Sequence, residues 1–415
     1  MEWNARGDKM NKKVIVFGLI VGIFVEMFYG SFGYAEEISV EESYSISKEI
    51  EATEEEKVEA NEMFQLSLEE SIDYALENSK EMIIQGIELE KAEIAYTQNK
   101  RAISNQEDFF ELELPIPRRY EVTPDDNVNR ALIKNGGAMK QVDLVYNMAK
   151  WNSETTENQL KYNVEKAYFD LLLVEKEMNI AEENIALAQK QYDFGKLRYD
   201  VGMISQQQLL GLGLSLSQAQ SGYESARMYY GLQKMSFRNT LGLPLDKEFI
   251  LTDTIGLKEY DPIVLENAIK SGIENNAGVM ISESNLEIQE LTLDATIGRF
   301  PPNTYRYRTQ EQEVLNAEIN LQNAKNGVEM QVRSAVVNLT TAEKQIATFE
   351  KAVYQASEGV RIAELSFEIG QNTATEVAQA NLNLMNAKKN LAQQIHAFNT
   401  ALLDYKYSMG IGKGF

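Results

Sequence analysis

The sequence contains no cysteine, a single histidine and only 7 prolines among its 415 residues. The absence of cysteine excludes disulfides, thiolate metal sites, thiol catalysis and an acylated N-terminal cysteine. The one histidine, His396, has no catalytic or metal-ligand partner nearby in sequence, which predicts a surface or packing residue on a helix. We therefore expect no enzyme activity, no cofactor and no bound metal. The scarcity of proline favours long, unbroken helices.

Positive charge is also scarce, since 40 lysines and arginines stand against 63 aspartates and glutamates, for a formal charge of −23. A surface this acidic repels nucleic acid and anionic lipid, so no nucleic-acid partner is expected. Acidic residues are densest in residues 36–62, where 11 glutamates and 2 lysines leave little that could form a core. We predict that this segment is a disordered, solvated linker.

Long hydrophobic runs are confined to the N-terminal region. Val14–Val25 is a 12-residue apolar run behind a cluster of basic residues, and Ala35 suits a cleavage site. Residues 1–35 therefore predict a secretory signal and an exported protein, and the alternative is a retained N-terminal anchor. No later apolar run reaches the about 18 residues that a membrane-spanning helix needs.

The chain contains an internal repeat. Leu68–Ile72 reappears as Leu265–Ile269, 197 positions later, and further along the chain the offset between matching segments is 168. The first copy is thus 29 residues longer than the second. Chance similarity between helices does not hold one register over such a length, so the pattern indicates duplication. We assign residues 63–250 to the first copy and residues 251–415 to the second.

Each copy predicts a long helical hairpin. From Asn163 onward, apolar residues recur at three- and four-residue steps, the period of an amphipathic helix, here of about 40 residues. A break containing a glycine follows at Asp200–Ser205, and the second copy repeats it at Glu368–Thr373. Ser205 and Thr373 suit the N-caps of the returning helices. A helix pair this long cannot bury its own apolar flanks, so it needs neighbours from the other copy or from other chains.

Several segments resemble the TolC-like outer membrane efflux protein family. They are the helix start Leu66–Asn78, which is echoed at Val264–Asn276, the stretch Ala167–Leu173, and the turn Leu197–Ser205 with its closing Leu241–Pro244. Long helices look alike, but the order and duplication of these segments make the set specific. The resemblance implies an all-α fold: two tandem repeats of long antiparallel coiled-coil hairpins, as in a TolC-like α-barrel protomer.

The resemblance further implies a homotrimer that works with a periplasmic adaptor (membrane fusion) protein and an inner-membrane pump. In that family the hairpin turns dock the adaptor, and acidic side chains after the second turn line the entrance constriction. The matching acidic position here is Glu376, which would leave one carboxylate per chain. The adaptor-docking positions implied in the two turns are Arg198, Tyr199, Gly202, Met203, Ser205, Phe367, Gly370 and Thr373.

The sequence departs from that family where membrane-spanning strands belong. Such a strand needs about 9–11 residues. The connector Phe300–Arg308, placed between a helix that ends near Gly298 and one that begins with a capping box at Thr309, has only 9 residues and contains two prolines. Phe110–Ile116 alternates in polarity but is 7 residues long and contains a proline. We therefore expect a divergent member of the family with a missing or vestigial β-barrel.

Two functions remain open. The first is a trimeric helical conduit, an exit-duct component of an efflux or export system through which small molecules or peptides pass passively. The alternative is a non-conducting structural or adaptor bundle, which the loss of membrane strands favours, whereas the intact turns in both copies favour the conduit. Either function places the protein in the cell envelope, at the outer membrane and periplasm, or in the wall space of an organism without an outer membrane.

Overall fold

The computed structural model describes residues 64–111 and 124–410, and helices make up 85 % of them. The chain divides into two compact units, Met1–Glu62 and Met63–Phe415, and every described residue lies in the second. The predicted signal and the predicted acidic linker lie outside the described residues, as does most of the alternating segment 110–116.

The described elements follow the predicted all-α pattern. Two three-residue strands, β1 (Phe64–Leu66) and β2 (Phe249–Leu251), pair in parallel and are the strands of the described ranges. The helices of the first copy are α1 (Leu68–Asn78), α2 (Lys80–Glu111), α3 (Pro124–Lys134), α4 (Gly137–Asp200) and α5 (Gln206–Leu241). Those of the second copy are α6 (Leu265–Asn275), α7 (Ala277–Ile297), α8 (Tyr305–Glu368) and α9 (Ala374–Ser408).

The repeat is visible in the helix boundaries. Helices α1 and α6 are both 11 residues long and begin 197 positions apart. Helices α4 and α8 are both 64 residues long and begin 168 positions apart, and α5 and α9 also begin 168 positions apart. The extra residues of the first copy lie in the longer α2, in α3 and in the segment between them. The tandem hairpins are therefore confirmed, whereas the boundary between copies at residue 250 stays a prediction.

The longest helices are longer than the sequence pattern predicts. Each has 64 residues, about 96 Å at 1.5 Å per residue, rather than about 40 residues. The apolar period becomes regular only at Asn163, but the polar first part of α4 is helical as well. There the hydroxyls of Thr155 and Thr156 donate to the carbonyls of Trp151 and Asn152, at 2.7 and 2.9 Å. Polar side chains that often end a helix are thus bonded within this one.

The connector between α7 and α8 is also shorter than predicted. Helix α7 ends before Gly298 as expected, but the capping box proposed at Thr309 is wrong, because Thr309 lies inside α8. The N-cap is Thr304, whose hydroxyl oxygen accepts a hydrogen bond from the backbone N–H of Tyr307 at 3.4 Å. Phe300 fixes the connector by packing among apolar side chains of α3 and α7.

The four long helices lie side by side in the order α5–α4–α9–α8. The two hairpins meet where α4 packs against α9, α2 packs on α4, and α7 packs on both α8 and α4. Each hairpin has its own apolar core, closed by the short helix α1 or α6. Full burial of one Leu, Val or Phe side chain contributes about 1.5–3 kcal/mol, so each hairpin is held mainly from within. Among the most deeply buried core residues are Val164, Tyr168, Leu171, Phe237 and Leu241 in the first copy and Val279, Val332 and Leu339 in the second.

Candidate functional site

Both hairpin turns have the same backbone geometry. In the first turn the backbone N–H of Met203 donates to the carbonyl of Arg198 at 2.7 Å, and the equivalent bond in the second turn is 2.8 Å long. Each turn contains a glycine with positive φ, 77° at Gly202 and 78° at Gly370. This is the left-handed helix ending that glycine adopts without a steric penalty and that other residues rarely adopt. A side chain at either glycine would strain the turn even though space is free around Gly202.

Each returning helix begins with a capping box. Ser205 caps α5: its Oγ accepts from the N–H of Gln208 at 3.3 Å, and Oε1 of Gln208 accepts from the N–H of Ser205 at 2.8 Å. Thr373 caps α9 in the same way with Glu376, whose Oε2 accepts from the N–H of Thr373 at 2.6 Å. The structure thus gives the exposed Glu376 a capping role, and its role in a constriction stays a prediction.

Arg198 joins the first turn to the second. Its Nη1 donates to the backbone carbonyl of Phe367, and its Cζ lies 4.7 Å from the ring centre of Phe367 and 5.8 Å from that of Phe194. The two rings meet edge to face with their centres 6.1 Å apart. We call these three residues the clasp. Two predicted docking residues, Arg198 and Phe367, therefore hold the two turns of one chain together, and Phe367 is only 6 % exposed.

Apolar side chains stand in solvent at both turns. Among the predicted docking residues, Tyr199 is 38 % and Met203 69 % exposed. Leu197, Val201 and Ile369, which sequence reasoning missed, are exposed to a similar or greater degree. Their apolar character in and beside a turn, where polar residues are usual, was the available signal. We call Leu197, Val201, Met203 and Ile369 the tip patch.

The interface between α4 and α9, which we call the seam, is mainly polar, unlike the cores inside the hairpins, although near the turns a small apolar cluster that contains Leu212, Phe367 and Val377 also joins the two hairpins. In the ion pairs of the seam, α4 supplies the acids and α9 the bases. His396 Nε2 lies 2.6 Å from Oδ1 of Asp170, and Lys406 Nζ lies 3.2 Å from Oε1 of Glu165. His396 is thus a packing residue with an acidic partner that sequence proximity could not reveal. Further seam contacts join Lys389 to Glu177, Lys388 to Glu183 and Gln393 to Glu177.

Two tyrosines at the seam are held in their protonated form. Burial, with the hydrogen bond that Tyr162 donates to Oδ1 of Asp404 at 2.7 Å, raises the pKa of Tyr162 to about 12. Burial likewise raises the pKa of Tyr407, whose hydroxyl donates to Oε1 of Glu165 at 2.8 Å. A neutral hydroxyl is the donor that each carboxylate needs, so these bonds persist to high pH.

A groove of about 470 Å³ runs between α5 and α9 over α4. It contains two buried amide atoms without a hydrogen-bond partner, Nε2 of Gln191 and Oδ1 of Asn381. An unpaired buried polar atom costs about 1–3 kcal/mol. Both atoms are themselves closed off from solvent, so they mark a local cost in the packing of the groove wall. Small side chains form much of its wall, among them Ala181, Ala188, Ala219, Gly222 and Ala378.

The two outer helices of the row, α5 and α8, carry large apolar side chains in solvent. Exposed large apolar side chains that recur along one helix indicate an interaction face. We call these faces the α5 edge and the α8 edge. The α5 edge contains Leu210, Leu214, Met228, Tyr229, Leu232 and Met235. The α8 edge contains Leu315, Ile319, Met330, Val337, Tyr354, Ile362 and Leu365.

Five polar side chains at the turns are used in the caps and the clasp, namely Arg198, Ser205, Gln208, Thr373 and Glu376. Within residues 64–111 and 124–410, no three His, Asp or Glu side chains are grouped so that they could hold a metal ion. In the same part of the chain, no helix combines the length and the apolar character needed to cross a membrane.

Comparison with known proteins gives matches to solved structures, while no family model and no curated protein matches the sequence. The CmeC outer membrane channel of Campylobacter jejuni has a TM-score of 0.61 at 15 % identity, covering 84 % of this chain and 86 % of that one. The outer membrane protein VceC of Vibrio cholerae has a TM-score of 0.59 at 16 % identity, covering 84 % and 96 %. The MtrE outer membrane channel of Neisseria gonorrhoeae, in its open state, has a TM-score of 0.56 at 13 % identity, covering 84 % and 89 %. The chain therefore has the TolC-like fold that the sequence resemblance implies.

Proposed function

We propose that the protein is an exit-duct component of an export system in the cell envelope, a homotrimeric helical conduit that passes small molecules or peptides passively. The observation that carries this proposal is the pair of apolar edges, α5 and α8, on the two sides of one row of helices. The outer membrane channels CmeC and MtrE share the fold, which supports a role of the same kind.

The edges support a closed ring of copies. The α5 edge and the α8 edge differ in sequence, so one covers the other only in a head-to-tail contact between copies. Such contacts form a ring when the rotation between copies closes, and an open filament when it does not. Three copies would place twelve long helices around a central passage, since each chain supplies four.

The turns are the proposed contact with the rest of the export system. The tip patch offers exposed apolar surface to a periplasmic adaptor protein. The adaptor would in turn connect this protein to an inner-membrane pump. The backbone and side chains that surround the patch belong to Tyr199, Gly202, Ser205, Gly370 and Thr373. Arg198 and Phe367 act indirectly here, by holding the two turns at one relative position. Glu376 would place one carboxylate per chain at the entrance of the passage.

Disulfide trapping tests the ring. The chain has no cysteine, so engineered pairs are the sole thiols. Leu214 on the α5 edge and Ile362 on the α8 edge both lie within about 12 Å of the turns along their helices. We expect the double variant Leu214→Cys, Ile362→Cys to form covalent dimers and trimers on mild oxidation, with trimers as the largest product.

The matched control moves one thiol along the same edge. Leu315 is also exposed on α8 but lies about 70 Å from Ile362 along the helix. The variant Leu214→Cys, Leu315→Cys should stay monomeric, as should each single variant. The closed-ring proposal is wrong if Leu214→Cys, Ile362→Cys yields only monomers, or if it yields covalent oligomers that continue to grow beyond the trimer.

The non-conducting envelope bundle remains the alternative, and the tip patch distinguishes it from the conduit. A photo-reactive residue at Met203, which is 69 % exposed, should trap a second protein in the native envelope if the turns dock an adaptor. A photo-reactive residue at Arg227, which is exposed at mid-helix on α5, serves as the control. Trapping of this chain alone, or of nothing, from Met203 would favour the bundle.

A further inference from the structure

A row of uncharged polar side chains runs along the exposed face of α9. Its residues recur at three- and four-residue steps, so they lie on one side of the helix. All of them are exposed, and each ends in a side-chain amide, which has a donor and an acceptor but no charge. We call this row the amide stripe, and it consists of Gln379, Asn383, Asn386, Asn390 and Gln393.

The charged residues beside the amide stripe are compensated. Lys388 and Lys389, near its upper end, make ion pairs with Glu183 and Glu177 of α4. Below its lower end, the carboxylate of Glu376 accepts a backbone hydrogen bond at the N-cap of α9. Glu376 also lies in the first turn of the helix, where the helix dipole offsets part of its charge. The stripe is thus an uncharged surface between compensated charges.

Helix α5 shows the same absence of charge. No Asp, Glu, Lys or Arg occurs between Asp200 and Glu224, a gap of 23 residues in a chain in which 25 % of residues are charged. The positions 168 residues before the amide stripe are Gly211, Ser215, Gln218, Gly222 and Ser225. Two copies that differ in length and in most residues thus share an uncharged face, which indicates that the face itself has a function.

The other side of the hairpins is charged. Helices α5 and α9 meet near the turns, where Leu212 packs with Val377, so both lie on one side of α4. On that side α4 presents Ile180, Ala188 and Gln191 to the groove between them. At 100° per residue, the opposite face of α4 carries the exposed residues Glu182, Lys190, Asp193 and Lys196. A helix face in bulk water normally carries charged residues, so the charged side suits the exterior.

We propose that the amide stripe and the matching face of α5 form the wall along which cargo moves, and that this wall guides peptides through their backbone amides without selecting for the charge of their side chains. The inference rests on the proposed conduit. Glu376, which we place at the entrance of the passage, lies one turn before Gln379 on the same side of α9. From Gln379 to Gln393 the wall continues for about 20 Å.

Side-chain amides match the chemistry of a peptide backbone. Gln379 Nε2 donates to Oδ1 of Asn383 at 3.1 Å, a bond that the N–H and carbonyl of a passing peptide group can replace. Because such bonds are exchanged for bonds with water, their net contribution is small, so cargo is guided but not retained. A charged wall would instead hold cargo of the opposite sign. Apolar cargo finds little surface on α9, where Leu382 is the one large apolar side chain noted as exposed.

The acidity of the chain is concentrated away from this wall. Residues 176–225 and 345–393, the parts of the four long helices nearest the turns, contain 8 basic and 11 acidic residues. They contribute a formal charge of −3 to the −23 of the whole chain. Charges more than about 8 Å away are largely screened at physiological ionic strength. The electrostatic potential at the amide stripe is therefore expected to be close to zero.

Thiol reactivity tests the charge of the wall. The chain has no cysteine, so Asn386→Cys introduces its only thiol. Methanethiosulfonates of similar size, one cationic and one anionic, should react with it at rates within about threefold of each other, relative to a free thiol. The control Asn316→Cys replaces an exposed asparagine of α8 that lies between Glu313 and Glu318. It should react at least about fivefold faster with the cation.

Peptides that carry the same reactive group test the class of cargo. Uncharged, basic and acidic peptides of equal length should modify Asn386→Cys at rates within about threefold of one another. In that background, the triple variant Gln379→Ala, Asn383→Ala, Asn390→Ala should slow all three peptides about fivefold, because their backbone loses its partners. The rates of the small reagents should not change.

A matched variant controls for the loss of amides in general. Asn338→Ala, Gln345→Ala, Gln355→Ala removes three exposed amides from α8. In the Asn386→Cys background it should leave the rates of all three peptides unchanged. Circular dichroism of both triple variants checks that the helices are intact.

A bulky reagent tests which side the amide stripe faces. Twelve neighbouring helices would enclose a ring about 35 Å across. In the ring, a polyethylene glycol maleimide wider than this should react slowly with Asn386→Cys. It should react quickly with Lys190→Cys, on the charged face of α4. Equal rates in a protein that disulfide trapping shows to be a ring would place the stripe outside, which overturns this inference and leaves the conduit proposal standing.

Three further results would overturn the inference. The first is a preference of Asn386→Cys for the cation as large as that of Asn316→Cys. The second is a peptide rate that depends on the sign of the peptide charge. The third is an equal slowing of the peptides by both triple variants. None of these three measurements depends on whether copies of the chain form a ring, which disulfide trapping reports separately.

Discussion

Arg198 joins the two turns of one chain through the clasp. Its guanidinium is bonded to a backbone carbonyl of the second turn and covers the ring of Phe367. A hydrogen bond from a charged donor contributes about 1.5–3 kcal/mol, and a cation–π contact about 0.5–2 kcal/mol. Planarity matters here, because the carbonyl and the ring are engaged by one flat group.

We expect Arg198→Ala to lower the free energy of unfolding by about 2 kcal/mol and to loosen both turns. Amide hydrogen exchange in residues 198–205 and 366–373 should become faster, measured by mass spectrometry. Arg198→Lys keeps the charge but not the planar group, so its stability and exchange rates should lie between those of the unchanged protein and those of Arg198→Ala. Arg227→Ala is the control, because Arg227 makes one long, exposed ion pair at 3.7 Å. Unchanged exchange at the second turn would show that the clasp holds nothing.

Glu376 combines a cap with a charge, and the first copy shows how to separate the two. Gln208 makes the same capping box with a neutral side chain. Glu376→Gln should therefore keep the stability of α9 nearly unchanged while removing the charge. Chemical denaturation of Glu376→Gln and of the unchanged protein measures this difference in stability. Glu376→Ala should in addition lower the free energy of unfolding by about 0.5–1 kcal/mol, because the backbone N–H of Thr373 loses its acceptor while Thr373 still caps α9.

At the scale of elements, the hairpins are held differently inside and between. Inside each hairpin the contacts are apolar, whereas away from the turns the seam between α4 and α9 is built mainly from carboxylates, amines and hydroxyls. Exposed ion pairs contribute about 0–1 kcal/mol each and are weakened by salt. The seam is therefore the contact in this fold that solution conditions can most readily weaken.

Alkaline pH should weaken the seam through its tyrosines. A tyrosine in an unfolded chain has a pKa of about 10, and that of folded Tyr162 is raised to about 12. The folded chain thus holds this proton more tightly, so the contribution to stability is complete below pH 10 and is lost as the pH rises towards 12. Chemical denaturation across this range should show a fall in stability that is smaller in Tyr162→Phe. The stability of Tyr229→Phe, a change at an exposed position on α5, should fall with pH as much as that of the unchanged protein.

The elements that could be predicted from the sequence are those specified by near neighbours. Ser205, Thr373 and the two turn glycines find their partners within a few residues, so their types and spacing were sufficient. The clasp joins residues 169 positions apart, and His396 meets an aspartate 226 positions away, so nothing local marks either contact. Helix length was underpredicted because the polar start of α4 is stabilised by side-chain bonds to its own backbone.

For the whole molecule, charge and apolar surface act in opposite directions. A formal charge of −23 makes copies repel each other, while the α5 and α8 edges attract by burying apolar surface. Salt screens the repulsion and leaves the apolar attraction in place.

Self-association should therefore strengthen from low to physiological salt, measured by sedimentation velocity at constant protein concentration. The double variant Met228→Glu, Leu232→Glu places charge on the α5 edge and should stay monomeric at both salt concentrations. The control Gln218→Glu, Gln220→Glu adds the same charge to the same helix without replacing an exposed large apolar residue. Association that weakens with salt would mean that ion pairs, not the apolar edges, join the copies.

The equal length of α4 and α8 restricts how the gene can change. Both helices have 64 residues, which keeps the two turns level so that Arg198 meets Phe367. Deleting one residue from a helix advances everything beyond it by about 1.5 Å and rotates it by about 100°. A single deletion in α4 would thus lower one turn and swing Arg198 away from its partner, even though no residue of the clasp had changed. A deletion of a nearly whole number of turns, such as about seven residues, made at the same height in both copies and in the returning helices, would shorten the shaft and keep its register.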